Sequence, residues 1–200
     1  MKVSLYKRFS AYLIDILLLG LILMLIFYFM PESKNVSSLH NDLNLINENF
    51  LNNEIETIEY LNKYSSIMYR LDKDRLIFTI INFIAIFVYF VLVPYFYKGK
   101  TLGNYILGLE IKSKFKKLKI KQLIIRNIII NGLGYLLTSI ILVLLLNNNS
   151  YFYLLSIFAF TQLILVIVSI FMIIYRHDKR GLHDILSQTK VVISKTEVKE

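Results

Sequence analysis

The chain has 200 residues, 56% of them hydrophobic, with a formal net charge of +9, no cysteine and two prolines. A chain without cysteine has no disulfide framework and no thiolate metal site. Its apolar share exceeds the roughly 45–50% usual for soluble domains, and its mean hydropathy is +0.57. This predicts one all-α integral membrane domain over residues 1–200. Because the basic residues border apolar blocks, the excess charge suits anionic lipid headgroups rather than nucleic acid.

A membrane-crossing helix needs about 20 mostly apolar residues. Four blocks meet that length: Tyr12–Met30, Leu76–Tyr97, Leu123–Leu146 and Tyr151–Tyr175. The first follows Lys2, Lys7 and Arg8 and lacks a small-residue cleavage site, so it reads as a retained span rather than a signal peptide. Asp15 lies four residues into the apolar run, where a carboxylate costs several kcal/mol unless it is paired, protonated or near the interface. Arg8, seven residues earlier, falls on the same helix face. Both a structural pairing of Asp15 within the bundle and a functional role fit this placement.

Between the first two spans, Leu39, Leu43, Ile46 and Phe50 recur at helical spacing, and Ile55, Ile58 and Leu61 extend the rhythm. The 31–75 segment is therefore expected to be amphipathic, lying on the bilayer or capping the bundle. After the second span, Gly99, Thr101, Gly103 and Gly108 lack Walker spacing; they predict a tight turn and a short packed helix, Leu102–Leu107. Leu109–Lys112 reads as a short strand. Arg126 opens the third span, either snorkelling to headgroups or pairing with Asp15. Asn82, Thr138 and Gln162 read as contacts between helices. The polar Asn147–Ser150 linker predicts a hairpin of the third and fourth spans. The tail from Arg176 to Asp184 holds two His and two Asp in no zinc spacing, so no metal is expected. It reads as a capped turn, followed by a second strand, Lys190–Ile193, expected to pair with the first.

Lys and Arg number three before the first span, eight in 98–122, six after Tyr175 and none in the third–fourth linker. The 31–75 segment holds five, outnumbered by eight acids. This distribution predicts cytoplasmic termini and an external 31–75 segment, although Arg70, Lys73 and Arg75 sit on the predicted outer side, interleaved with Asp72 and Asp74.

Three segments resemble the RDD family of membrane proteins. The opening helix carries Arg8-Phe-Ser-Ala11-Tyr-Leu-Ile-Asp15. The loop after the second span carries Gly99-Lys-Thr101-Leu-Gly103 and Leu107-Gly108-Leu109. The tail carries Arg180-Gly-Leu-His183-Asp184 and Thr189-Lys-Val-Val192. Arg126 also stands where the family often has an arginine. The resemblance implies that Arg8, Asp15 and Asp184 are the name-giving residues. Asn104 and Gln188 depart from its pattern, replacing a frequent Lys and Gly. It further implies a multi-pass cell-membrane protein of loosely defined activity, with transport of ions or small ligands the usual proposal.

No nucleophile–base or paired-carboxylate motif appears, so an enzyme is not expected, nor any cofactor. Two functions stay open: a small-ion transporter, expected to be homo-oligomeric because four helices with no obvious break are few, and a non-catalytic scaffold or assembly protein. In either, Arg8, Asp15, Arg126 and Asp184 should converge at one end of the bundle, with Arg126 on Asp15 and Arg8 on Asp184.

Overall fold

A computed structural model of the protein describes residues 3–31, 33–115 and 117–194. Of the basic residues counted for orientation, Lys2, Lys116, Lys195 and Lys199 lie outside them. The long apolar blocks are helical because a helix satisfies its own backbone groups where water is absent. Among the described residues, three helices are long and apolar enough to cross a membrane. α1 runs Leu5–Tyr28. The second is α4, Leu76–Phe87, continued through a π-helical turn at Val88–Leu92 into α5, Val93–Phe96. The third is α9, Asn148–Tyr175.

The expected third span is broken. α7, Ile120–Ile130, and α8, Leu133–Leu145, meet at a bend of 78°. With 11 and 13 residues, neither is long enough alone. The break falls at Asn131-Gly132, where Gly132 adopts the left-handed φ of +66° that glycine takes without a Cβ penalty. The pair still traverses the bundle. Leu123 on α7 packs beneath the sheet described below. At the other end, Asn148, just beyond α8, donates to Ser66 Oγ at 3.1 Å. Counted as one bent span, the pair gives the described chain four passes between two ends.

One end is capped by a helical hairpin, α2 (Lys34–Leu51) and α3 (Thr57–Asp74). Its own small core holds Val36, Leu39, Ile46, Ile67 and Leu71, and Phe50 stacks on Tyr60 with ring centroids 4.3 Å apart. The expected rhythm holds through Phe50 and then loses register at the turn. Ile58 is 72% exposed, and α3 packs through Tyr64, Ile67 and Leu71 instead. Tyr151 and Asn149 of α9 tie the hairpin to the bundle, donating to Asp72 at 2.7 Å and accepting from Ser65 at 2.7 Å.

The other end carries α6 (Leu102–Ile106), α10 (Leu182–Leu186) and two strands, β1 (Leu109–Ser113) and β2 (Thr189–Ile193). The strands pair antiparallel as expected, Leu109 opposite Ile193 and Lys112 opposite Lys190. An isolated pair is marginal in water. Here one face supplies Leu109, Ile111 and Val191 to a core shared with Val3, Ala11, Val91, Leu123 and Leu133. Alternation along each strand leaves Lys112 and Lys190 on the opposite, exposed face.

Candidate functional site

All four charged residues singled out in the sequence lie at the sheet end, but they pair differently from expectation. Asp184, in the first turn of α10, is fully buried. It accepts from Arg8 Nη1 at 2.9 Å and from Arg126 Nη1 in a shorter contact. The Gly181 N–H also donates to it at 3.2 Å. Burial alone pushes this carboxyl up, but the guanidiniums of Arg126 and Arg8 outweigh it and hold Asp184 below the usual carboxylate range. The Arg8–Asp184 pair was expected; the Arg126–Asp15 salt bridge is replaced by Arg126–Asp184. α7 starts against α10 and the turn before β2, so its first turns face the tail rather than α1, and Arg126 also reaches Thr189 Oγ1 at 3.4 Å.

His183 precedes Asp184 and points into the same region, with Nδ1 on Ser169 Oγ of α9 at 2.5 Å. Its Nε2 lies 3.6 Å from Asp184 Oδ1. This approach is not an ion pair: burial first, then the nearby Arg126, push His183 down to about 3 and keep the ring neutral. Gln122 of α7 donates to the Ser187 carbonyl at 3.1 Å and fixes the turn into β2. Gln188, where the resemblance puts a glycine, takes a left-handed φ of +55° in that turn.

Asp15 occupies a separate cradle. Its Oδ1 accepts from Tyr89 Oη at 2.7 Å and from the Gly103 N–H at 2.7 Å; its Oδ2 accepts from Thr101 Oγ1 at 2.6 Å. All three donors are neutral. Within the glycine-rich loop, Gly103 makes this contact possible. Gly103 sits so close to α1 that a Cβ there would lie 2.1 Å from the Ala11 carbonyl oxygen. Thr101 caps α6, its hydroxyl accepting from the Asn104 N–H at 3.3 Å. Gly99 takes a φ of +83°, and a Cβ there would lie 2.1 Å from the Ile111 carbonyl oxygen. Its own carbonyl accepts from the Ile111 N–H at 2.7 Å. Gly108, also left-handed, accepts from the Ser194 N–H at 2.8 Å. Tyr89, the third donor, was not among the residues picked from the sequence.

A polar ladder absent from the sequence reading links α1 and the second span to the broken span. Pro94 has no N–H to offer the carbonyl four residues back, that of Phe90. That carbonyl accepts from Asn127 Nδ2 at 2.8 Å. Asn131 donates to Asn127 Oδ1 at 2.5 Å, and Tyr12 donates to Asn131 Oδ1 at 2.9 Å. Gln162 of α9 donates to the Ile129 carbonyl at 2.5 Å, the helix-joining role expected of it. Thr138 instead bonds the Gly134 carbonyl of its own helix. Pro94 within an apolar span and the Asn-Gly pair at 131–132 were the available signals. Between the ladder, the Asp15 cradle and the arginine pair lies a cavity of about 90 Å³, lined by Arg8, Tyr12, Asp15, Arg126, Asn131 and His183 among others.

The RDD family model matches residues 2–188. Nearly the whole chain is covered, and the protein belongs to the RDD family. No curated protein and no solved structure matches it.

Proposed function

We propose that this RDD-family membrane protein moves a small cation or protons, using Asp15 beside the broken span as its ionisable group. The observation that carries this reading is the chemistry of the cradle. Asp15 is buried and meets three neutral donors, while both nearby arginines turn to Asp184. A carboxylate held this way lacks a permanent counter-charge, so a proton or small cation arriving through the adjacent cavity would neutralise it. The discontinuous α7–α8 span supports the same reading, because transporters commonly place ion sites where a crossing helix is interrupted. A cavity of about 90 Å³ suits an ion with a few waters rather than an organic solute. The protein works without covalent catalysis, in the cell membrane, as a homo-oligomer with both termini cytoplasmic and its basic end against anionic headgroups. It does not act on nucleic acid.

Flux measured in proteoliposomes containing only this protein tests the reading. Wild type should dissipate an imposed proton or cation gradient, and Asp15→Asn should accumulate normally and lose the flux. A charge swap of Asp15 with Arg126 should not restore it. The second reading, a non-catalytic scaffold, draws on the Arg8–Asp184–Arg126 triad, which joins α1, α7 and the tail. It gains if wild type carries no flux and Asp15→Asn fails to accumulate. An impermeant reagent that labels a cysteine at position 117 in intact cells, and spares one at position 44, would reverse the orientation.

A further inference from the structure

A second concavity of about 860 Å³ runs along the sheet end, outside the Asp15 cavity. Lys190, Val191, Val192 and Ile193 all line it. Consecutive strand residues face opposite ways, so a groove touching all four follows the outer edge of β2. Among the described residues its charged lining is Arg8, Lys112, Lys114, Arg180 and Lys190 against a single carboxylate, Asp178. That carboxylate is already shared by two guanidiniums, Arg176 Nε at 3.0 Å and Arg180 Nε at 2.9 Å.

Three features of this groove are unfavourable unless an anion occupies it. Lys112 and Lys190 stand directly opposite each other in the strand register, and like charges so placed destabilise a sheet. Arg8 and Arg126 share one carboxylate, Asp184, leaving an excess positive charge behind the groove. Arg8 Nε and Arg180 Nη1 are buried without a hydrogen-bond partner, although guanidinium groups bind phosphate oxygens with matched geometry. Glu110 relieves Lys112 in part, at 2.6 Å, but nothing comparable faces Lys190 among the described residues.

From these features we propose that the groove binds the headgroup of an anionic phospholipid, its phosphate held by Arg180, Lys112 and Lys190. Position favours a lipid over a soluble phosphate. The groove lies between the start of α1 and the residues just after α9, the level at which two helices apolar enough to cross a membrane end. Val192 and Ile193, both half-buried, give it an apolar side against which the upper part of a lipid can rest. This site is independent of whether Asp15 transports anything.

The test uses the full chain, purified in a neutral detergent free of phosphate, and measures lipid binding by native mass spectrometry. Phosphatidylglycerol should bind saturably, and phosphatidylcholine, which has the same phosphate but no net charge, should bind far more weakly. Lys112→Gln and Lys190→Gln should each weaken phosphatidylglycerol binding about fivefold, and the pair on the order of 25-fold. Without lipid, Lys190→Gln should melt about 1–3 °C higher than wild type, because the facing charges are relieved. A lower melting temperature would mean that the lysines hold the sheet together, and overturns the proposal. So does equal binding of the two lipids, or unchanged binding by the double variant. Inorganic phosphate that displaces phosphatidylglycerol at equal concentration would assign the groove to a soluble phosphate and remove the lipid.

Discussion

Asp15 and Asp184 are the same residue type, buried at the same end of the same bundle, and the chain accommodates them by opposite means. Asp184 is held by charge, with one guanidinium from α1 and another from α7 closing on it across 176 and 58 residues of sequence, respectively. Asp15 is held by dipoles: a phenol, a hydroxyl and a backbone N–H, each contributed by elements within or after the second span. A buried carboxylate paired with two cations resists change, since removing either partner strands a charge in a medium that cannot solvate it. One cradled by neutral donors keeps its charge available. The first arrangement suits a fastener and the second a group that must bind and release.

The comparison breaks most easily at Asp184. Asp184→Asn leaves Arg8 and Arg126 facing each other without a counter-charge, and the expected loss is about 3–5 kcal/mol. Membrane accumulation and the melting temperature in detergent should both collapse. Replacing all three residues with apolar ones of similar size should recover much of that loss. If Asp184→Asn melts like wild type, the triad is not a fastener. Gly103→Ala comes next. Its methyl group would meet the Ala11 carbonyl, forcing α6 off α1 at a cost of about 1–3 kcal/mol. It should also open the Asp15 cradle, so flux would fall along with the melting temperature. An unaffected Gly103→Ala protein would mean that α6 approaches α1 less closely than described.

Much of this end is legible in the amino-acid sequence. The four charged residues, the glycine loop and the pairing of the two strands follow from local patterns: residues seven apart on one helix, glycines between two apolar segments, and alternating β-branched residues. What the sequence hid was which cation meets which anion. Arg126 and Asp15 have compatible depths, but depth is one coordinate and the pairing also depends on which way α7 faces. That direction is set by the β1–β2 core, where Leu123 is fully buried, and by Gln122 bonding the turn before β2. Both are long-range contacts. The break in the third span was hidden for another reason. Hydropathy stays high across Asn131-Gly132, so the apolar run conceals a turn signal that would be plain in a polar setting. The α2–α3 hairpin misled similarly, since a helical rhythm read past Asn52 and Asn53 continues on paper after the chain has turned.

Asp15→Asn sharpens the contrast because it should do much less to stability than the same substitution at Asp184. The amide oxygen can still accept from Tyr89 and Gly103, and the Thr101 hydroxyl can rotate to accept from the new amide nitrogen. The expected cost is about 1 kcal/mol. Chemical or thermal unfolding in detergent, run on both Asn variants side by side, measures the difference directly. Similar losses at the two positions would remove the distinction between fastener and cradle.

The smallest effect concerns pH and isolates the fastener from its neighbour His183. Asp184 has a lowered native pKa, so its contribution is fully present above the ordinary carboxylate value and is lost only as pH falls through the native one. Between pH 7.5 and 5.5 it should contribute no slope. His183 behaves differently. Its native value is about 3, lowered by burial and by Arg126 and Arg8 against the opposing pull of Asp184. Below the ordinary histidine value the unfolded chain therefore takes up a proton that the folded chain refuses, and stability falls as pH drops. Over that interval the loss should be about 1 kcal/mol. Asp72 at the hairpin end works in the other sense: burial raises its native pKa despite the Tyr151 hydroxyl and Arg75, so acidification favours the folded state there. The measurement is best made in an Asp72→Asn background. Melting curves at pH 7.5 and 5.5 should show the loss there, and adding His183→Asn, whose amide can still meet Ser169 Oγ, should abolish the pH dependence while lowering stability at both values. A slope that survives in the His183→Asn protein would show that another group titrates in this range, and the assignment of the pH dependence to His183 would fail.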